Sequence, residues 1–217
     1  MVVFDTAILL LLFSPDTSAP IDPATKNPIE DAKERVDYLV EKLEKQKTKI
    51  IVPTPVLSEL LVHSDKAGPG YLSKLNSSAA FRIIPFDIKA AIEVAAMTKA
   101  ALNSGDKKDG GAGTWAKIKY DRQIVAIAKV EGATTIYSDD ENIDKFAKKK
   151  GINVIGLSAL PLRPEEAQTD LFKDAQSEES SEEDTEEEID EEILEEIIES
   201  VVKDQPPTEE NKLDKPT

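Results

Sequence analysis

The chain has 217 residues, no cysteine, and a formal net charge of −16. The lack of cysteine excludes disulfides, thiolate metal sites and cysteine nucleophiles, as expected of a protein in a reducing compartment. The charge is unevenly placed: residues 165–217 hold 22 of the 43 acidic and 4 of the 27 basic residues, a net of −18, which leaves residues 1–164 at +2. A uniformly acidic protein would repel nucleic acid, whereas a near-neutral domain with local basic patches can accept it. The length suits one domain, residues 1–162, with an acidic appendage, residues 163–217.

Residues 2–4 form a short, wholly apolar run that reads as a strand, and residues 6–13 read as a buried helix. This N-terminus superficially resembles a signal peptide, but it has no basic leader, carries Asp5 inside the apolar run and lacks a small-residue cleavage site. No apolar stretch reaches the roughly 18 residues that span a bilayer, so the expected location is cytoplasmic. Residues 14–27, rich in Pro, Asp, Ser and Thr, read as a loop. Asn27-Pro28-Ile29-Glu30 has the form of a helix start, with the helix running to about Gln46 and Val36, Leu39, Val40 and Leu43 on one face. A second strand is expected at 49–52 and a helix from Thr54-Pro55, with Glu59 near its second turn. A third strand is expected at 81–86, then an Ala-rich helix capped by Asp87. Residues 103–114 are glycine-rich, and residues 115–130 read as a helix containing Asp121. Strands at 134–137 and 153–155 flank a short helix.

Five apolar strands alternating with helices point to an α/β fold with a central parallel sheet covered on both faces. In such sheets ligands bind beyond the carboxyl ends of the strands, where the strand order reverses. Asp5 and Asp139 fall at strand ends, and Glu59 and Asp121 lie on helices that can present them at the same edge. A lone buried carboxylate is costly; converging ones repel, and one would take up a proton unless a cation neutralises them. Mg²⁺ or Mn²⁺ prefers such oxygen ligands.

Four segments together resemble the PIN domain nucleases, a family that includes the VapC-type toxins. They are the apolar run ending in Asp5-Thr6, the Thr54-Pro55-Val56-Leu57-Ser58-Glu59 segment, the Asp121 segment with Ile124-Val125-Ala126, and Gly132-Ala133-Thr134 leading to Ser138-Asp139-Asp140. The resemblance spans residues 1 to about 162. It implies a three-layer α/β/α sandwich and metal-dependent endonucleolytic cleavage of RNA, with Mg²⁺ or Mn²⁺ as cofactor. It assigns the acidic set to Asp5, Glu59, Asp121 and Asp139. An ungapped count from Asp121 favours Asp139 for the last place; aligning Ser138 with the family's usual Thr favours Asp140, otherwise a supporting acid or a helix cap. Asn142-Ile143 stands where the family usually has an aromatic residue. Thr6 and Ser138 are expected to hydrogen-bond a carboxylate or the phosphate. The resemblance also implies an RNA substrate, a protein antitoxin and a homodimer.

Lys107, Lys108, Lys117, Lys119, Arg122 and Lys129 surround these acids in sequence and are candidate phosphate contacts, and Trp115 is either a base-stacking or a packing residue. Lys145, Lys148, Lys149 and Lys150 suit a solvated helix face. In the appendage, Ile189, Ile193, Leu194, Ile197, Ile198, Val201 and Val202 recur at helical spacing, which marks an amphipathic helix over 187–203 within an otherwise disordered segment. Two alternatives stay open. One is a phosphatase of the haloacid dehalogenase type using Asp5, although Ala7 stands where its second Asp belongs. The other is a non-catalytic PIN-like binding module regulated by the acidic tail.

Overall fold

The computed structural model describes residues 1–14, 16–22 and 25–164. The acidic segment and its apolar stripe at 187–203 lie outside the described residues. Five strands form one sheet: β1 (Val2–Phe4), β2 (Ile50–Pro53), β3 (Phe81–Ile84), β4 (Thr135–Tyr137) and β5 (Asn153–Ile155), in the order β3-β2-β1-β4-β5. Every pairing is parallel. Among the described residues, seven α-helices cover its two faces: α1 (Thr6–Phe13), α2 (Ala32–Lys45), α3 (Thr54–Val62), α4 (Gly68–Ser77), α5 (Ile88–Asn103), α6 (Trp115–Val130) and α7 (Glu141–Lys148). The result is a three-layer α/β/α sandwich.

The strands are short, and the apolar side chains of the three central ones are buried on both sheet faces. Val3, Phe4, Ile50, Ile51, Val52 and Ile136 are fully buried, as a parallel sheet enclosed by helices requires. Phe4 packs edge-on against both Phe81 and Tyr137, which ties three strands together through one ring. β3 stops at Ile84 because Pro85 has no N–H to continue the ladder. The chain steps outward from β1 to β2 to β3, then crosses back to β4 and on to β5. The reversal therefore falls between β1 and β4, and the residues just beyond those two strands are Asp5 and Ser138.

Helix starts follow local capping with one correction. Asp87 accepts from Ala90 N at 2.9 Å to open α5, and Thr114 accepts from Lys117 N at 3.2 Å to open α6. The start expected at Asn27-Pro28 is not used. Ile21 and Pro28 form an antiparallel bridge instead, with Asp22 N donating to the Asn27 carbonyl and Ile29 N to the Pro20 carbonyl. The backbone groups that would begin a helix are thus engaged in pairing, and α2 opens only at Ala32, after Asp31 adopts a left-handed φ of 53°. Helix α4 lies in a stretch without a strong apolar period. It opens on Gly68-Pro69-Gly70, where proline suits a first helical turn, and Tyr71 and Leu75, one turn apart, bury its inner face. No helix among the described residues is long and apolar enough to cross a membrane.

The turn before α6 is held by a close approach at Gly111. A Cβ there would lie 2.4 Å from Ile118 Cδ1, 2.9 Å from the Lys108 carbonyl oxygen and 3.0 Å from Phe146 Cζ. Overpacking of this kind costs about 1–3 kcal/mol. We expect Gly111→Ala to lower the urea midpoint accordingly, while far-UV circular dichroism stays native-like.

Candidate active site

The sheet register builds the centre of the site. Phe4 pairs with Tyr137, so Asp5 and Ser138 are the next residues along and stand side by side. Ser138 Oγ donates to Asp5 Oδ2 at 2.6 Å, and Thr6 N donates to Asp5 Oδ1 at 2.8 Å, making Asp5 the cap of α1 as well. Thr6 then donates its hydroxyl to Glu59 Oε2 at 2.6 Å, which reaches across from α3. Asp140 caps α7: its Oδ1 accepts from Asn142 N at 2.7 Å and Ile143 N at 3.2 Å. Asp121 sits inside α6, 5% exposed, where Asn142 Nδ2 donates to its Oδ2 at 2.9 Å. Asp5, Thr6, Glu59, Lys117, Asp121 and Asp140 line one cleft of about 690 Å³, together with Ser58, His63 and Tyr120.

The cleft carries an unequal charge balance. Burial, joined by the charges of Asp140 and Glu59, pushes the Asp5 carboxyl up to about 6 against the opposing hydrogen bonds of Ser138 and Thr6. Burial and the Asp140 charge also raise Asp121, despite Asn142 and Lys117. For Asp140, burial is outweighed by the Lys117 hydrogen bond and the α7 backbone donors, and its carboxyl is held below the ordinary value. Lys117 Nζ contacts Asp140 Oδ2 in a short ion pair and lies 3.5 Å from Asp121 Oδ1. As these side chains stand, no group of three or more His, Cys, Asp or Glu among the described residues is gathered closely enough to form a ready-made metal site.

Two expected site residues lie elsewhere. Asp139 does not line the cleft. It faces the exit of β5, where its Oδ1 accepts from Leu157 N at 2.9 Å and lies 2.5 Å from where a Cβ on Gly156 would stand. Side chains of adjacent residues leaving a strand diverge, and here Asp140 lines the cleft with Asp5 while Asp139 does not. Burial raises the Asp139 carboxyl, and its Oδ2 is buried without a hydrogen-bond partner among the described residues. Arg122, expected to contact substrate, is 1% exposed. It donates to Thr98 Oγ1 at 3.1 Å and the Lys107 carbonyl at 2.9 Å, between the rings of Trp115 and Phe146. It follows Asp121 on α6, and a step of one residue turns a side chain about 100° away from its neighbour's face. Trp115 is a packing residue covered by Lys107, whose Nζ lies 4.1 Å from the ring centre. Lys108 is spent on the Gly113 carbonyl and Lys129 on that of Lys150. Of the basic residues expected at the site, Lys117 alone lines the cleft.

In the sequence Asn142 marks only the place of an absent aromatic residue. Its buried amide accepts from Ala112 N at 2.8 Å, donates to the Ala112 carbonyl at 3.0 Å, and also holds Asp121. The signal was its place two residues after a capping acid, which turns it from the helix start toward α6.

The PIN domain family profile matches residues 15–149. The chain belongs to the PIN domain family. The matched span contains Glu59, Asp121, Asp139 and Asp140 and begins after Asp5. Among solved structures, the chain is similar to VapBC2 from Rickettsia felis bound to a DNA fragment from its promoter, at 18% identity and a TM-score of 0.48, covering 72% of this chain and 98% of that one. It is also similar to DNA-bound VapBC from Salmonella typhimurium, at 16% identity and a TM-score of 0.42, covering 72% and 97%. No curated protein sequence matches the chain. Membership of the PIN family replaces the haloacid dehalogenase alternative.

The raised Asp5 carboxyl gives a stability prediction. A folded value near 6, above the ordinary 3.8, means the folded state holds the proton more tightly. This favours folding most below about pH 4 and is lost as the pH rises through about 6. Asp5→Asn should therefore be more stable than wild type above pH 6, by about 1–2 kcal/mol after allowance for partial exposure. The two proteins should converge towards pH 4, as read from urea midpoints in chelator-containing buffer.

Proposed function

We propose that this PIN domain hydrolyses phosphodiester bonds of RNA with Mg²⁺ or Mn²⁺ held by Asp5, Glu59, Asp121 and Asp140. The observation that carries the reading is the meeting, in one cleft at the sheet's reversal point, of carboxylates from four separate chain segments. The donor chemistry fits a hard divalent cation: the ligands are all oxygen, and Asp5 is held near a pKa of 6 by burial and its neighbours' negative charge. Asp140 takes the fourth place in this proposal, supported by its position on the cleft wall, and Asp139 is assigned a structural role at Leu157.

Neutral donors aim these carboxylates: Ser138 and the Thr6 amide orient Asp5, the Thr6 hydroxyl orients Glu59, the Asn142 side chain orients Asp121, and the Asn142 and Ile143 amides orient Asp140. A divalent ion bound there would lower the pKa of a coordinated water and offset charge developing on the phosphodiester. His63 and Tyr120 also line the cleft, and Tyr120, 49% exposed, offers a face for a base. The near-neutral charge of residues 1–164 is compatible with RNA. A VapC-like role adds a protein antitoxin and a homodimer, and the exposed apolar side chains Val62, Ile88 and Ile92 supply surface for such contacts.

Single-stranded RNA incubated with the full chain should be cut in the presence of Mn²⁺ or Mg²⁺ and left intact in EDTA. Asp5→Asn, Asp121→Asn and Asp140→Asn should each lower the cleavage rate by about a hundredfold or more, whereas Asp139→Asn should stay within a few-fold of wild type. Cleavage that survives both chelation and Asp121→Asn would overturn the assignment.

A further inference from the structure

Lys117 occupies a place that general helix rules disfavour. It lies in the first turn of α6, near the positive end of the helix dipole, where a cation is destabilised. It precedes Asp121 by four residues, the less favourable orientation for a helical ion pair. What holds it there is the cleft, because its ammonium reaches Asp140 Oδ2 and Asp121 Oδ1 together. The opposite oxygens of those two acids are already engaged: Asp140 Oδ1 by Asn142 N and Ile143 N, and Asp121 Oδ2 by the Asn142 amide. The oxygens open to a further cation are therefore the two that face Lys117.

From this we infer that Lys117 is a positioning residue that competes with the divalent cation for Asp121 Oδ1 and Asp140 Oδ2, and so couples metal binding to RNA binding. The inference rests on the metal-dependent reading given above. An ion taking those oxygens displaces an ammonium that is 47% exposed in its side chain and free to swing towards the cleft mouth. With no counter-charge there, the displacement opposes metal binding. With a phosphodiester in the cleft, the released ammonium finds a new anion, and the opposition falls. By linkage, metal must then strengthen RNA binding by the same factor that RNA strengthens metal binding. No covalent step is involved; the device is one cation with two alternative sets of anions.

The test measures Mn²⁺ binding to the full chain by electron paramagnetic resonance, with and without a slowly hydrolysed phosphorothioate RNA oligonucleotide. In wild type, RNA should tighten Mn²⁺ binding by roughly fivefold, the scale of one partly exposed ion pair. Lys117→Met and Lys117→Gln should bind Mn²⁺ about that much more tightly without RNA and gain little when RNA is added, while Lys117→Arg should behave as wild type. Urea melts establish that each variant is folded. If Lys117→Met and Lys117→Gln are folded but bind Mn²⁺ no more tightly than wild type, competition is refuted. An RNA effect of equal size in wild type and Lys117→Met refutes the coupling. Wild type that binds no Mn²⁺ in an Asp121→Asn-sensitive manner refutes the metal-dependent reading itself, and the inference with it.

Discussion

The parallel pairing of β1 with β4 puts Asp5 beside Ser138, because Phe4 and Tyr137 are partners and both strands run the same way. That contact lies where the order β3-β2-β1-β4-β5 changes direction, so the chain diverges on either side of it and leaves a cleft rather than a crossing loop. Helix α1 begins at once after Asp5, and α7 begins after Asp140. Both therefore aim their N-termini at the same space. The positive ends of two helices offset some of the repulsion that acids crowded at one strand edge must suffer.

Asp121 has no such support, since it lies in the interior of α6 rather than at its start. Its charge is carried by Asn142 on one oxygen and Lys117 on the other. Asn142 also clamps both polar groups of the Ala112 backbone, so the loop before α6 and the start of α7 are fixed by the same amide that fixes the acid. A buried amide bonded on all these sides is stable only with its partners present. The loop is braced a second time by Arg122, which binds the Lys107 carbonyl from beneath. One face of α6 thus serves the cleft and the next serves the scaffold.

Much of this was readable from residue types. The five strands and most helices announce themselves as apolar runs bounded by Asp, Thr or Pro, and the acids at strand ends stood out because apolar neighbours make them costly. What failed was direction. The ungapped count from Asp121 favours Asp139, whereas at the β4 exit it is Asp140 that lines the cleft and Asp139 that turns to Leu157. It likewise counts Lys117 and Arg122 as two basic residues of one helix, although five positions place one over the acids and the other under Trp115. Asn27-Pro28 failed for a different reason: a local cap signal lost to the Ile21–Pro28 bridge, a tertiary pairing that no window of sequence contains.

The same acids hold the fold and form the cleft, and this limits what can be altered. Asp5 and Asp140 cap helices with one oxygen and face their neighbours with the other. A cap holds the carboxylate in a fixed rotamer, so the entropy of orienting it is met during folding rather than at binding. The cost appears in the raised Asp5 carboxyl, a local destabilisation tolerated because the surrounding core is fully buried at Val3, Phe4 and Ile136. Replacing these acids by apolar residues would remove the repulsion and the caps together, and so would not trade function for stability in a simple way. Replacement by the amide keeps the cap acceptor, while it removes the charge and turns the second oxygen, which accepts from Ser138 in Asp5 and from Lys117 in Asp140, into a donor.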